Sequence, residues 1–279
     1  MNNASCPIRA FQRVKGTGNM NSKIIFFDID GTIFSHTTMS VPESTRAAIK
    51  KAQANGHLAF INTGRTSSEI DNEITDIGFD GYICGCGTYI SYQGNLLHQE
   101  VVSAEITREL IKDLRSCHLE AVLEGPQHSY FDTQINNQVI MQIKKEQEPG
   151  GKVKSFNDPD IRFSKFCIWP SSREGYLIFY EKYKDKFDFI GRGTSFFEVI
   201  PKNFSKATGI HFILDYLKLS QEDTYAIGDS ANDLSMLKCV KHSIAMGNAV
   251  REVLSEVSYV TDDVDKDGVA KALKHYEII

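Results

Sequence analysis

The most constraining feature of this chain is a pair of carboxylates, Asp28 and Asp30, directly after the apolar run Ile24–Phe27. The run predicts a buried strand. Aspartate is disfavoured in strands, and two like charges about 4 Å apart repel by roughly 4 kcal/mol at an effective dielectric constant near 20. The following Gly31 permits a sharp turn. A fold tolerates such a pair where a cation or a reaction uses it, so the rest of the chain should supply partners.

Composition and charge exclude several classes of protein. The chain has 279 residues, of which 41% are apolar and 24% charged, as in an ordinary globular protein. Its net charge of −5, with scattered Lys and Arg, predicts no nucleic-acid partner. No apolar run approaches the ~20 residues that span a bilayer, so we expect no membrane segment.

Location and oligomeric state are less constrained. Six scattered cysteines indicate reduced thiols and a cytoplasmic location. Residues 1–22 lack the apolar centre of a signal peptide, and we interpret them as an irregular leader or tag. We expect either a monomer or a homodimer.

Strands and helices alternate in the first and last thirds of the sequence. In the first third, strands are predicted over 24–27, 58–62 and 81–83, with helices over 42–54 and 66–77. In the last third, strands are predicted over 196–200, 223–227, 243–246 and 259–261, with helices over 205–217, 234–239, 250–255 and 269–275. This order predicts an α/β fold with a parallel sheet and right-handed crossovers.

The middle of the chain has a different pattern. Residues 89–92 and 96–102 flank Gln93-Gly94-Asn95 and predict a hairpin. Further helices are predicted over 104–117, 135–146 and 173–184, and strands over 121–124, 129–132, 163–169 and 187–190. This grouping predicts a separate α+β domain. We therefore assign residues 23–83 and 192–279 to a core domain and residues 84–191 to an inserted one.

Distinctive polar residues follow the predicted core strands. Asp28 and Asp30 follow the first strand, Thr63-Gly64-Arg65 follows the second, and Asp229-Ser-Ala-Asn232-Asp233 follows a later one, while Lys206 opens a helix. Loops at the carboxyl ends of parallel strands line one crevice. The sequence thus predicts an acidic pocket that also contains a Lys, a Thr and an Arg.

The composition of this pocket suits phosphoryl transfer assisted by a hard cation. Mg²⁺ prefers oxygen ligands and pairs with phosphate oxygens. One carboxylate can attack phosphorus and form an aspartyl phosphate, and a second can protonate the leaving oxygen and later accept a proton from water. A Lys and a Thr can hold the charged phosphoryl oxygens.

Four strings of the sequence together resemble the motifs of the haloacid dehalogenase-like superfamily, and more narrowly its Cof-type phosphatases. They are Asp28-Ile-Asp-Gly-Thr32, Asn62-Thr-Gly-Arg65, Lys206, and Gly228-Asp-Ser-Ala-Asn-Asp233. The resemblance covers Ile24 to the C-terminus. It implies a Rossmann-like, doubly wound parallel sheet, with an α+β cap of the C2 type inserted between the second and third motifs.

The resemblance also implies a role for each motif residue in catalysis and Mg²⁺ binding. Asp28 would be the nucleophile and a metal ligand, and Asp30 the general acid and base, with its backbone carbonyl on the metal. Asp229 would complete the protein ligands. Asp233 is included with the metal-binding residues, either near the ion or orienting Lys206 or a metal-bound water.

The remaining motif residues would bind the substrate. Thr63 would hold a phosphoryl oxygen and Lys206 would brace both the phosphoryl group and Asp28. Gly64, Arg65 and Asn232 would contribute to the same phosphate-binding surface. The predicted function is a Mg²⁺-dependent phosphatase that hydrolyses a small phosphorylated metabolite, either a sugar phosphate or a phosphorylated cofactor, through an aspartyl phosphate.

Other interpretations of the same residues exist. A phosphotransferase or mutase would carry identical motifs, and a non-catalytic metabolite-binding protein could retain them. Asp-Gly is a common surface-turn pair, Asp229 and Asp233 could simply favour a helix N-terminus, and Lys206 could be a solvated helix residue. The order of all four motifs favours the phosphatase.

Overall fold

The structure, a computed structural model, describes residues 22–192 and 196–279. Within them the strands are β1 (Ile24–Phe27), β2 (Leu58–Asn62), β3 (Gly81–Cys84), β4 (Tyr89–Tyr92), β5 (Asn95–Gln99), β6 (Leu119–Glu124), β7 (Ser129–Phe131), β8 (Val153–Ser155), β9 (Lys165–Pro170), β10 (Phe187–Arg192), β11 (Phe196–Pro201), β12 (Thr224–Gly228), β13 (His242–Ala245) and β14 (Tyr259–Val260). The leader predicted over residues 1–22 lies outside the described residues, apart from Ser22.

The α-helices of the described residues are α1 (Glu43–Ala54), α2 (Asn72–Thr75), α3 (Ala104–Ser116), α4 (Gln138–Gln147), α5 (Arg173–Tyr183), α6 (Lys206–Leu217), α7 (Leu234–Cys239), α8 (Arg251–Leu254) and α9 (Gly268–His275). The chain forms two compact units. The first contains the described residues up to Gly64 together with Ile70–His98 and Ser205–Ile279, and the second contains Arg65–Glu69 and the described part of Gln99–Phe204.

The sheet of the first unit has the strand order β14-β13-β12-β1-β2-β3-β4-β5. All neighbours from β14 to β3 pair in parallel, and β4 pairs antiparallel with β3. The chain runs outward from β1 to β3 on one side and from β12 to β14 on the other. The order of the strands therefore reverses between β1 and β12, which is where parallel α/β sheets bind ligands. The predicted parallel sheet is confirmed.

Alternation along β1 explains why this sheet is covered on both faces. Ile25 and Phe27 pack in one apolar cluster with residues of α1 and α9, whereas Ile24 and Phe26 pack in another with residues of α6 and α7. Successive side chains of a strand point to opposite faces, so the uninterrupted apolar run requires helices on both sides. This is the doubly wound arrangement that the sequence predicts.

The second unit contains a six-stranded sheet in the order β10-β11-β9-β6-β7-β8. Its pairs are antiparallel except β7 with β8. Helices α3 and α5 pack on one face, where Leu110 and Phe179 meet Leu123 and Phe166. Ile140 of α4 belongs to a smaller cluster that includes Val122 and Trp169. No helix of the described chain is long and apolar enough to cross a membrane.

The boundaries of the two units differ from the predicted domain boundaries. The hairpin β4–β5, predicted to open the inserted domain, extends the sheet of the first unit because β4 pairs with β3. The strand predicted over 196–200 as part of the core is β11, which pairs antiparallel with β9 and β10 in the second sheet. Local patterns predict all three strands, but the choice of sheet depends on pairing between distant residues.

The helix predicted over 66–77 is replaced by two short pieces, a 3₁₀ turn at Ser67–Glu69 and α2. The Glu69 carboxylate accepts hydrogen bonds from the Thr66 amide (2.7 Å) and hydroxyl (2.8 Å). Ser67 and Ser68 donate to the carbonyls of Pro126 (3.0 Å) and Gly125 (2.9 Å). These side-chain hydrogen bonds compete with a continuous helix.

A close approach between α6 and β3 gives the first prediction. A Cβ atom at Gly209 would lie 2.4 Å from Ile83 Cγ2. Gly209→Ala should raise helix propensity by about 1 kcal/mol, yet the overpacking costs roughly 1–3 kcal/mol. We therefore expect a lower free energy of unfolding by denaturant titration. His211→Ala, at an exposed position of α6, is the matched control and should not destabilise.

The contact itself can be tested by a double mutant. Ile83→Ala removes the atom that the new Cβ would meet, so the Gly209→Ala/Ile83→Ala protein should lose less stability than the sum of the single losses. Strictly additive losses, or a stabilised Gly209→Ala protein, would contradict this account of the helix–sheet contact.

Candidate active site

The first acidic residue continues the pairing of β1 by one position. The Asp28 amide donates to Ile227 O of β12 at 3.0 Å, and Asp28 is only 4% exposed. The chain then turns around Ile29, whose carbonyl accepts from the amides of Thr32, Ile33 and Phe34. The strand end thus holds the Asp28 carboxylate at the point where the order of the sheet reverses.

Glycine is required in the turn that follows. Gly31 has φ +77°, and a Cβ atom there would lie 2.3 Å from Asp229 Oδ2. An L-residue at this position would be strained and would also displace Asp229. The close approach of the turn after β1 to the loop after β12 therefore explains the glycine of the Asp-x-Asp-Gly string.

Lys206 joins two of the predicted carboxylates. Its Nζ lies 2.5 Å from Asp28 Oδ1 and also contacts Asp233 Oδ1. Ser205 caps α6 by accepting from the Thr208 amide at 3.1 Å, which fixes Lys206 as the first residue of the helix. All three charged residues are buried.

Asp233 is held by the loop that precedes it. Its Oδ2 accepts from the amides of Asp229 and Ser230, both at 2.9 Å, and its Oδ1 contacts Lys206. Gly228 permits this fold-back, because a Cβ atom there would lie 2.6 Å from Asp233 Cγ. Ser230 Oγ donates to Asn232 Oδ1 in the same loop.

Burial and mutual repulsion shift the titration of these carboxyls. Burial, reinforced by the Asp233 charge and opposed by Lys206, raises the pKa of Asp28 to about 8. The same influences raise the pKa of Asp229 to about 7. Burial opposes the charged form of Lys206, but the charges of Asp233 and Asp28 outweigh it and raise the Lys206 pKa above its ordinary value. One Lys therefore does not offset both the burial of these carboxyls and the repulsion among them.

The donor set fits a hard divalent cation. Carboxylate oxygens of Asp28, Asp229 and Asp233 lie within 4.8 Å of one another. Asp229 Oδ1 is buried and accepts no hydrogen bond, an arrangement that costs free energy unless a ligand compensates it. Oxygen donors of this kind are the ligands that Mg²⁺ prefers.

Asp30 and Thr63 also lie at this end of the sheet. Electrostatic effects on neighbouring carboxyls indicate this for Asp30, and backbone hydrogen bonds indicate it for Thr63. The Asp30 charge contributes to the raised pKa values of both Asp28 and Asp229. Thr63 follows β2, the neighbour of β1, and is buried, with its amide donating to Ile83 O at 2.9 Å and its carbonyl accepting from the Cys86 amide at 3.1 Å. Gly64 comes next, as the last residue of this segment of the first unit.

Arg65 is separated from the rest of its motif by the division of the chain. It begins the segment Arg65–Glu69, which belongs to the second unit, and its Nη1 donates to Glu69 O at 3.4 Å. Within the first unit the structure brings together Asp28, Lys206, Asp229 and Asp233, whereas Arg65 belongs to the second unit.

Two asparagines to which the sequence assigned no role support the site, Asn62 of the second motif and Asn248. Buried Asn62 donates from Nδ2 to Lys206 O at 3.0 Å. Asn248 donates to Gly31 O at 2.8 Å and accepts from the Val264 amide at 2.9 Å. The position of Asn62, a polar residue at the end of the apolar run Leu58–Ile61, could have indicated a functional role for it. No local pattern distinguishes Asn248.

Comparison with known proteins agrees with the geometry. Residues 25–273 match the family model described as haloacid dehalogenase-like hydrolase. YkrA of Bacillus subtilis (strain 168), provisionally named as a phosphatase, is 30% identical over 263 residues, covering 93% of this chain and all of YkrA. YwtE of the same organism, named 5-amino-6-(5-phospho-D-ribitylamino)uracil phosphatase, is 26% identical and covers 89% of this chain and 96% of its own.

Solved structures give the same result. BT1666 from Bacteroides thetaiotaomicron, described among the phosphatases of this superfamily, has a TM-score of 0.80 at 28% identity and covers 94% of this chain and 98% of its own. The subclass IIB sugar phosphatase BT4131 has a TM-score of 0.78 at 26% identity, over 92% of this chain and all of that one. The chain therefore belongs to the haloacid dehalogenase-like hydrolase family, as one of its Cof-type phosphatases.

Proposed function

We propose that this phosphatase hydrolyses a small phosphorylated metabolite with Asp28 as the nucleophile and Mg²⁺ as the cofactor. The observation that carries the proposal is the buried arrangement in which Lys206 bridges Asp28 and Asp233 while Asp229 Oδ1 has no hydrogen-bond partner. A structural ion pair between Lys206 and two carboxylates would not need a third carboxylate beside it. Asp229 nevertheless lies in space that only the missing side chain of Gly31 leaves open.

In this proposal the reaction consists of two displacements at phosphorus. Lys206 holds Asp28 Oδ1, so Oδ2 attacks phosphorus, and the bond from phosphorus to the leaving oxygen breaks as the aspartyl phosphate forms. Asp30 gives its proton to the leaving oxygen. Asp30 then takes a proton from water as the water oxygen attacks phosphorus, which releases phosphate and restores Asp28. Lys206, Thr63 and Gly64 stabilise the charged phosphoryl oxygens.

Asp28, Asp229 and the Asp30 carbonyl would hold Mg²⁺, which when bound supplies positive charge to neutralise the phosphoryl oxygens. Asp233 has a different role in this proposal, because its two oxygens already bind Lys206 and two amides. It positions Lys206 and the loop that carries Asp229. Asn232, on the same loop, is assigned to the substrate side.

The second unit and Arg65 are assigned to substrate selection. An inserted cap that closes over the site would exclude water and provide specificity. The names of YwtE and BT4131 favour a phosphorylated polyol or sugar as substrate. The free thiols of Cys117, Cys167 and Cys239 support a cytoplasmic location.

Replacing the nucleophile tests the proposal directly. Asp28→Asn should lower phosphate release roughly a thousandfold or more, since the covalent step is lost, while Asp233 still pairs with Lys206 and preserves the fold. A panel of sugar and polyol phosphates, assayed for inorganic phosphate with Mg²⁺ and without any acceptor, measures this. Asp215→Asn, exposed on α6, is the control; near-normal turnover by Asp28→Asn would refute the assignment.

Mg²⁺ binding has a readout that is independent of turnover. Mg²⁺ should raise the thermal midpoint of the wild-type protein by mass action, and Asp229→Asn should lose most of that increase whereas Asp215→Asn keeps it. An increase of equal size in Asp229→Asn would show that the ion binds elsewhere.

The same measurement should depend on pH. The pKa values of about 8 for Asp28 and about 7 for Asp229 lie above their ordinary values, so these carboxyls retain protons at neutral pH and must release them to bind the cation. The midpoint increase caused by Mg²⁺ should therefore grow from about pH 6 to about pH 8.5. An increase that is constant or falls over this range would contradict the proposed ligands.

A further inference from the structure

The turn after Asp30 is closed by its own hydrogen bonds. The Gly31 amide donates to Phe34 O at 3.0 Å, and the Ser35 amide donates to Ser40 O at 2.9 Å. Ser35 Oγ accepts from the amides of Thr37 and Thr38 at 3.1 and 3.2 Å. The segment between these bonds is thus an ordered turn that presents one ionisable side chain, His36.

His36 faces the carboxylate assigned to proton transfer. Its Nε2 lies 3.4 Å from Asp30 Oδ1. The imidazole packs edge-on against Phe34, with ring centroids 5.7 Å apart and planes at 75°. Phe34 itself forms an isolated β-bridge with Asp30, so the ring that supports His36 is tied to the residue that His36 contacts.

Stability alone does not account for this contact. The His36 side chain is 63% exposed and that of Asp30 39% exposed, and ion pairs in such positions contribute little to folding. The exposure is what a proton donor needs, because the leaving oxygen of a substrate must reach it. The contact therefore bears on the orientation of the Asp30 carboxyl rather than on the stability of the fold.

We propose that His36 is a positioning residue that orients Asp30 for proton transfer to the leaving group. The proposal rests on the proposed function, in which Asp30 is the general acid. In this role the Nε2–H of His36 would donate to Asp30 Oδ1, which lies 3.4 Å away, so that the transferable proton is carried by Oδ2. That proton moves from Oδ2 to the leaving oxygen as its bond to phosphorus breaks, and His36 neither gains nor loses a proton.

Leaving-group chemistry distinguishes this role from a structural one. An alkoxide is a poor leaving group and needs its proton during bond cleavage, whereas p-nitrophenolate is stable without one. A defect in the orientation of Asp30 should therefore slow the formation of the aspartyl phosphate from alkyl phosphates and spare its formation from p-nitrophenyl phosphate. A general distortion of the site would slow both esters equally.

The experiment compares kcat/KM for p-nitrophenyl phosphate and glucose 6-phosphate in four proteins at saturating Mg²⁺, because kcat/KM reports the steps up to aspartyl phosphate formation and not the later hydrolysis that both esters share. His36→Ala should lower kcat/KM for glucose 6-phosphate about tenfold, a part of the effect of general acid catalysis, and lower kcat/KM for p-nitrophenyl phosphate less than twofold. His36→Gln keeps an N–H donor of similar reach and should recover most of the loss. Thr37→Ala, on the same exposed turn, should match the wild type.

The outcomes separate this inference from the function on which it rests. Equal losses on both esters, no loss in His36→Ala, or a His36→Gln protein as slow as His36→Ala would overturn the role of His36 alone. A wild-type protein that released phosphate from neither ester, or an Asp28→Asn protein that retained turnover, would overturn the proposed function and this inference with it.

Discussion

The site depends on one buried cation, Lys206, placed between two carboxylates. Without it, Asp28 and Asp233 would face each other inside the protein with their repulsion uncompensated, and a buried charge left without its partner costs roughly 3–5 kcal/mol. With Lys206 in place, one positive charge lies between the carboxyl groups of Asp28 and Asp233, and Asp229 adds a third carboxyl group nearby. Burial of these carboxyls, reinforced by repulsion among them that one Lys does not offset, explains their raised pKa values, and the donor set fits a divalent cation. Lys206 thus permits an acidic pocket without neutralising it.

Sheet topology brings these residues together from opposite ends of the chain. Because β1 and β12 are adjacent parallel strands, their carboxyl ends lie side by side, and the residues after them meet without any long loop. Two glycines then set the final distances: Gly31 permits the approach of Asp229, and Gly228 permits that of Asp233. The spacing of the acidic residues in the sequence is therefore a consequence of strand ends and tight contacts, which is why the motifs are short.

Local sequence predicted most elements and the residues at the strand ends, because apolar runs, glycines and acidic pairs act within a few residues. It failed where the outcome depends on distant partners. The strand Phe196–Pro201 has the same pattern in either sheet, and only its pairing with β9 and β10 assigns it to the second. The broken helix after Thr66 depends on the carbonyls of Gly125 and Pro126. Asn248 reaches a glycine carbonyl 217 residues away, and no sequence window contains both.

The second motif shows how a sequence pattern can conceal a division in the structure. Asn62 ends β2 and Thr63 and Gly64 follow it in the first unit, with Asn62 donating a hydrogen bond to the backbone of Lys206. Arg65 begins a segment of the second unit that is tied there by Ser67 and Ser68. The four consecutive residues of this motif are thus divided between the two units of the protein. A substitution at Thr63 changes the sheet end at which we propose the phosphoryl chemistry, whereas one at Arg65 changes the unit that we assign to substrate selection. The two changes should therefore be separable in kinetics, the first affecting every phosphate ester and the second only some.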